Sequence, residues 1–307
     1  MRGSVLSCRL RAEMDGHEDA LRDCVRRALA EDLGSRDLDL HADVTTRLAL
    51  AEPRVGRARL IAKVAGVLAG SACAARAFSM LDPDCRVELL REDGQRFERG
   101  DLILHVSGDM QALLAAERTV LNFVQRLSGV ATLTRSFVEA VAGTGARIFD
   151  TRKTTPGLRL LEKRAVLAGG GHNHRIGLYD QVLLKENHFG FAQPEPYEQV
   201  VRRCVAGQSG PVIAEARNVD EALSGARGGA AVVLLDNFQP GDVLRSAVAA
   251  VRSAAAALGR SVSIEASGGV DLRSVRAFAE CGVDRISIGA LTHSAPAIDL
   301  SLLVEGV

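Results

Sequence analysis

The stretch VIAEARNVDEALSGARGGAAVVLLDN, residues 212–237, decides the fold. Two short apolar runs, Val212 to Ala214 and Val232 to Leu235, flank a helical pattern from Val219 to Ala226. Runs that are apolar on successive residues suit strands buried on both faces, and an intervening helix lets two such strands lie parallel. The rhythm recurs outward from this unit. Further runs fall at Ile148-Phe149, Val182 to Leu184, Val262 to Ile264 and Ile286 to Ile288, with helical patterns over Tyr197 to Cys204, Asp242 to Leu258 and Asp271 to Glu280. About six such units predict an α/β barrel, complete or nearly so. An open doubly wound sheet is the other architecture. No G-x-G-x-x-G follows a strand and no Walker A loop occurs, so its nucleotide-binding forms lose support.

The first half reads as mixed structure. Glu18 to Leu33 is expected to be a helix with Leu21, Val25 and Leu29 on one face, ending at Gly34. Arg36 to Leu50 reads as a loop, and Arg54 to Leu68 alternates as a strand with Ala58, Leu60, Ala62 and Val64 on one side. A helix through Phe78 and Leu81 follows, then strands at Val87 to Arg91 and Leu102 to Val106. Met110 to about Val141 carries a long helical pattern that Gly129 could break in two.

Composition removes several classes. The 307 residues are 47% hydrophobic and 25% charged, the mix of a globular protein. Lys+Arg and Asp+Glu both number 38, so no global charge draws the chain to nucleic acid or anionic lipid. The six cysteines form no C-x-x-C pair and suit reduced thiols. Arg2, Arg9 and Arg11 interrupt any apolar leader region, and no run of about 18 apolar residues exists. A cytoplasmic protein is expected, without nucleic-acid or membrane partners. Only four of the cations are lysines, and Lys153, Lys163 and Lys185 fall within 33 residues.

Barrel chemistry sits where strands end. Asp150, Thr151, Arg152 and Lys153 follow the first run, Lys185, Glu186, Asn187 and His188 the second, Glu215 the third, and Asp236-Asn237 the fourth. Glu265, Ser267, Gly268 and Gly269 follow the fifth, Gly289-Ala290 the last. Polar strand ends are ordinary singly, but six on one face form a site. The glycine turns suit a phosphate cup at a helix N-terminus opening at Asp271. Arg152, Lys153 and Lys185, with the loop Gly169 to Arg175, would gather positive groups that repel one another unless a polyanion binds. Arginine suits carboxylate and lysine phosphate, so a ligand with both is expected. Arg159, Lys163 and Arg164 read as a solvated helix face. Glu215 and Asp236 could serve acid/base work, magnesium ligation, or the holding of a sugar diol. His172-Asn173-His174 with His188 could bind zinc, although the pair lies in a loop; His174 fits better as a hydrogen-bond donor or anion partner.

These residues resemble one family. Asp150 to Arg159 (DTRKTTPGLR), Glu162-Lys163, Gly169 to Gly171, Asn173-His174-Arg175 and Leu184 to His188 are similar to quinolinate phosphoribosyltransferases. The resemblance continues in Glu117 to Asn122, Leu127 to Thr132, Leu234 to Phe238, Glu265 to Gly269 and Gly289 to Ser294. It implies an α/β fold: an N-terminal α/β sandwich lobe over 1–121, joined by the tail 294–307, plus an incomplete parallel α/β barrel over 122–293. It also implies a homodimer in which Arg118 reaches the neighbour's site. Arg118, Arg152, His174, Arg175 and Lys185 would hold the two carboxylates of quinolinate. Thr151, Lys153, Glu215, Asp236, Ser267, Gly268, Gly269, Ile288, Gly289 and Ala290 would complete the site for phosphoribosyl pyrophosphate, with Mg²⁺ on its pyrophosphate. Lys153, Lys185, Glu215 and Asp236 would be the catalytic groups, and no resident metal ligands are implied.

Two departures stand out. The family commonly writes Glu-Val-Glu where this chain has Ile213-Ala214-Glu215, so only the second glutamate carries over. The loop Ser35 to Ala42 is a few residues longer than usual. A paralogue with another substrate, a zinc hydrolase and a non-catalytic quinolinate binder remain as other readings, separated by product formation, chelation and CO₂ release.

Overall fold

The computed structural model describes residues 3–50 and 52–305. In chain order its elements begin with α1 (Gly3–Leu33), α2 (Val44–Ala49), β1 (Val55–Ala62), β2 (Gly66–Val67), α3 (Ser71–Leu81), β3 (Arg86–Leu89), β4 (Arg96–Phe97), β5 (Leu102–Asp109) and α4 (Met110–Ala140). There follow β6 (Arg147–Phe149), α5 (Arg159–Ala168), β7 (Val182–Leu184), α6 (Glu186–Phe191), α7 (Tyr197–Ala206), β8 (Val212–Ala216), α8 (Val219–Gly228) and β9 (Val232–Asp236). The last are α9 (Asp242–Ala256), β10 (Ser263–Ser267), α10 (Val275–Glu280), β11 (Arg285–Ser287), α11 (Ala290–His293) and β12 (Leu300–Glu305).

Packing divides the chain into two units: Met1–Leu133 with Thr154–Gly170 and Ala295–Val307, and Thr134–Lys153 with Gly171–Ser294. The division differs from a boundary at 121. One reason is Glu162, wholly buried in α5: it accepts hydrogen bonds from Arg126 Nη2 at 2.8 Å and Thr155 N at 3.0 Å, tying α5 and its lead-in to α4.

In the first unit an antiparallel sheet runs in the order β12-β1-β5-β3. Ala58, Leu60 and Ala62 are buried on β1, and Leu60 lies opposite both Leu302 and Leu104. α1 packs on α3 and α5, burying Leu21, Val25 and Leu29 as the heptad-like spacing requires. The sequence reading needs five corrections here. Residues 36–50 are not all loop: Asp43 caps α2 by accepting from Thr46 N at 3.0 Å. The strand expected to Leu68 stops at Ala62 and resumes as β2, which pairs with the unforeseen β4; Val64 lies exposed in the turn between. α4 is unbroken at Gly129, whose missing side chain makes room for the backbone of Pro296: a Cβ there would overlap the Pro296 carbonyl oxygen. Lys163 is buried rather than solvated, and Arg159 is half-buried with its Nε donating to Thr154 Oγ1 at 3.0 Å. Only Arg164 of that trio faces solvent.

The second unit is a parallel sheet in the order β6-β11-β10-β9-β8-β7. All six apolar runs are strands. The decisive 212–237 stretch is a βαβ unit as read. Asn218 caps α8 by accepting from Glu221 N at 2.9 Å, and Gly229 closes it with φ +96°, a left-handed turn glycine adopts without strain. β6 and β7, the two ends of the sheet, do not pair with each other, so the barrel is incomplete. His172 makes a single parallel bridge to Phe149 and occupies the outer edge of β6. The interior is divided in kind: Leu183, Ile213, Val232 and Leu234 pack together on β7 to β9, whereas Glu265, Arg285 and Ser287 meet on β10 and β11. Among the described residues no helix is long and apolar enough to cross a membrane.

Candidate active site

The C-terminal ends of the six strands surround a cavity of about 760 Å³. It is lined by Thr151, Arg152, Lys153, His174, Arg175, Lys185, Glu215, Asp236, Ser267, Gly268, Gly269, Ile288, Gly289 and Ala290, which is every expected site residue except Arg118. Arg118 lies exposed on α4 in the first unit. The lining is completed by Leu183, Leu234, Val270, Ser287 and His293, which the sequence did not single out, and by Asn237 and Glu265, which it placed at strand ends without giving them a role. Glu265 was readable, because strand residues two apart share a face and Ser267 already pointed inward.

The cationic wall is built by main-chain anchoring. Lys153 N donates to Thr151 Oγ1 at 3.1 Å, and Lys153 O accepts from Thr292 Oγ1 at 2.7 Å. The Lys153 stem crosses Gly289, where a Cβ would stand 2.9 Å from Lys153 Cδ. Asp150, wholly buried at the end of β6, accepts from His174 N at 2.7 Å. Asp180 accepts from Ile176 N and Gly177 N at 2.7 and 2.8 Å, pinning the loop beyond Arg175. Burial, and then the charge of Arg152, push the Arg175 guanidinium below its ordinary range. The smaller, second cause is the mutual repulsion expected where cations are gathered on one wall.

Opposite stand the carboxylates. Lys185 Nζ lies 3.6 Å from Glu215 Oε2, while Glu215 O accepts from Tyr197 OH at 2.7 Å. The Tyr197 ring stacks on Phe189 of α6 with centroids 3.7 Å apart, so α6 and β8 hold this pair together. Asp236 Oδ2 accepts from Asn237 Nδ2 at 2.8 Å. Burial raises the Asp236 pKa, the nearby Glu215 charge raises it further, and Lys185 and Lys153 offset part of the effect. An ionised Asp236 therefore costs stability at pH values above its raised pKa, and the cost disappears below the unfolded value of about 3.9. Asp236→Asn is expected to raise Tm at pH 7, with the gain fading as pH falls towards 4, while activity drops. Equal Tm values for the two proteins at pH 7 in a thermal melt would contradict that reading.

The glycine turns differ from expectation in one respect. α10 starts at Val275, not Asp271, and the amides of Arg273 and Ser274 donate to Asp271 Oδ1 at 2.9 and 2.8 Å. These bonds, those with Ser274 foremost, hold the Asp271 carboxyl down to about 2. The cavity is therefore met by Gly268, Gly269 and the Gly289-Ala290 turn at the start of α11, not by a helix N-terminus at 271. Gly268 has φ +100° and Asn237 has φ +60°, and they are packed against each other: a Cβ on Gly268 would stand 3.0 Å from Asn237 N and overlap Asn237 Oδ1.

The histidines are dispersed rather than clustered. His172 stacks on Phe149 at 5.2 Å, His174 Nδ1 accepts from Arg175 N at 2.8 Å, and His188 Nδ1 accepts from Lys185 N at 2.9 Å. Among the described residues no group of three or more His, Cys, Asp or Glu is placed to hold a metal ion.

An incomplete parallel barrel with a cationic wall, paired carboxylates and glycine turns at its strand ends defines an enzyme class that handles polyanionic, phosphate-bearing substrates. The comparisons with known proteins narrow it. The N-terminal domain model of the quinolinate phosphoribosyl transferases matches residues 43–128, and the C-terminal domain model matches residues 130–303. The chain is 37% identical over 298 residues to the chloroplastic nicotinate-nucleotide pyrophosphorylase (carboxylating) of Arabidopsis thaliana, covering 93% of this chain and 83% of that one. It is 37% identical, again over 298 residues, to the mitochondrial quinolinate phosphoribosyltransferase (decarboxylating) 2a of Nicotiana tabacum, covering 93% and 82%. The solved nicotinate-nucleotide pyrophosphorylase of Francisella tularensis superposes with a TM-score of 0.83 at 37% identity, over 94% of this chain and 97% of that one. The chain belongs to the quinolinate phosphoribosyltransferase family.

Proposed function

We propose that the chain transfers the phosphoribosyl group of phosphoribosyl pyrophosphate to quinolinate, giving nicotinate mononucleotide, CO₂ and pyrophosphate. The observation that carries this is the convergence on one cavity of Arg152, Arg175 and Lys185 with Lys153, Glu215, Asp236 and the Gly268-Gly269 and Gly289-Ala290 turns. Arg152, His174, Arg175 and Lys185 serve the two carboxylates. Lys153, Ser267, the glycines, Ile288 and Ala290 serve the phosphates.

In this reading pyrophosphate departs from the anomeric carbon while Lys153 and Lys185 offset its growing charge. Glu215 and Asp236 hold the ribose hydroxyls and stabilise the positive carbon. The pyridine nitrogen attacks that carbon and becomes quaternary. Its positive charge then stabilises the carbanion left on the adjacent ring carbon when the carboxylate there departs as CO₂, and that carbon takes a proton. Rigid positioning by the anchored cations supplies the rate. The fold family implies Mg²⁺ carried by the pyrophosphate. Two hard oxygen donors, Glu215 and Asp236, fit an ion that keeps waters and substrate oxygens in its shell, and when bound it would neutralise the departing pyrophosphate.

Two finer statements belong to the proposal. The working unit is a homodimer to which Arg118 is donated across the interface, supported by the family resemblance and by the exposure of Arg118 on α4. The chain works in the cytoplasm, supported by its composition and by six cysteines that form no C-x-x-C pair and suit reduced thiols.

Purified protein with quinolinate, phosphoribosyl pyrophosphate and Mg²⁺ is expected to yield nicotinate mononucleotide by mass spectrometry, one CO₂ per turnover, and none with nicotinate instead. No product from folded protein would move the assignment to a paralogue with another substrate. Mixing Arg118→Ala chains with Lys185→Ala chains is expected to restore activity that each lacks alone. Failure to recover any turnover from mixed dimers would refute the donation.

A further inference from the structure

Beneath the cationic wall lies an ionic group that the reaction does not use. Glu265, on β10, has no exposed surface. Its Oε2 lies 2.9 Å from Arg285 Nε, and its Oε1 accepts from Ser287 Oγ and lies 3.4 Å from His174 Nε2. Arg285 itself lies over the Phe149 ring, its Cζ 4.0 Å from the centroid. Burial alone would raise the Glu265 pKa, but His174, Arg285 and Ser287 together hold it below the usual carboxylate range. The carboxylate is thus kept ionised inside a barrel.

The other ring nitrogen of His174 fixes the direction of the argument. Nδ1 accepts the Arg175 amide at 2.8 Å, so the ring proton belongs on Nε2, the nitrogen that faces Glu265. Of the charged and titratable groups here, Glu265 from β10 faces the ring at Nε2, Arg285 from β11 reaches it only through Glu265, Asp150 at the end of β6 takes the main-chain amide, and Arg175 meets Nδ1 with its own amide. Asp150 accepts the His174 main-chain amide and Glu265 Oε1 stands 3.4 Å from its Nε2, so carboxylates face the residue at both ends.

We propose that Glu265 is a positioning residue: it fixes His174 in the Nε2–H tautomer, and His174 in turn fixes the main chain of Arg175 and hence the quinolinate side of the wall. The inference rests on the cavity at the strand ends being the substrate site, but its first test does not involve substrate.

The holoenzyme labelled with ¹⁵N at histidine, with His174 assigned by a His174→Gln difference, is expected to show protonated Nε2 and unprotonated Nδ1. A protonated Nδ1, or averaging between the two forms, overturns the proposal whatever the enzyme's activity. Glu265→Gln is expected to disturb that tautomer signal and to raise the KM for quinolinate about tenfold, while the KM for phosphoribosyl pyrophosphate changes less than about threefold. A merely structural role would lower stability and change both KM values alike; that pattern, or an unaltered His174 signal, overturns the proposal. Where Glu265→Gln fails to fold, the spectrum of the unsubstituted protein decides.

Discussion

Lys185→Ala is expected to lower kcat about 100-fold, equivalent to about 2.7 kcal/mol of transition-state stabilisation. The effect has two sources. The departing pyrophosphate or the bound carboxylate loses a cation, and Glu215 loses the ammonium 3.6 Å from its Oε2. Because Lys185 is one of the groups that lower the Asp236 pKa, its removal also raises that pKa further. The pH dependence of kcat should therefore change along with its height: the acid limb moves to higher pH, since Asp236 must be ionised to act. Steady-state kinetics across pH 5 to 8 test both parts. Near-normal turnover would overturn the assignment of this cavity, and a lowered kcat with an unmoved acid limb would separate the Lys185 cation from the Asp236 charge.

Gly268→Ala is expected to reduce kcat/KM for phosphoribosyl pyrophosphate about 100-fold and to lower Tm. At φ +100° a side chain costs about 1–3 kcal/mol in backbone strain. The added Cβ also overlaps Asn237 Oδ1, so relief requires Asn237 to move. That movement withdraws the Nδ2 donor from Asp236, coupling the Gly268-Gly269 turn to the Asp236 carboxylate. Gly269→Ala is the internal comparison. Its φ of +65° is in the milder left-handed region and nothing stands within 4 Å of the added Cβ, so the loss should be several-fold smaller. Equal losses in the two variants would show that contact with Asn237 is not what matters.

Much of this architecture was legible before any coordinates, for definite reasons. Strands buried on both faces are written as apolar runs, and the residue where each run ends must face the barrel mouth; Lys185, Glu215 and Asp236 follow directly. The first unit was read less well. The turn at Val64 and the short β2–β4 pair depend on tertiary pairing that no local alternation encodes. Gly129 looked like a helix breaker because sequence shows the missing side chain but not the Pro296 backbone that needs its space. Lys163 looked solvated because lysines normally are, and no pattern announces a buried one. In the site, Asn237 was placed at a strand end but given no role, because its left-handed backbone and its bond to Asp236 are properties of a turn, not of a residue type.

The bridge between Phe149 and His172 has a consequence for solubility. A barrel that stops at six strands leaves an outer edge on β6, and bare strand edges recruit other chains. His172 covers that edge, and the same few residues present His174 and Arg175 to the cavity. One strap thus both shields the sheet from polymerising and arranges the ligand wall. A bound anion that pins Arg175 would also hold the shield shut, so ligand occupancy should slow heat-induced aggregation.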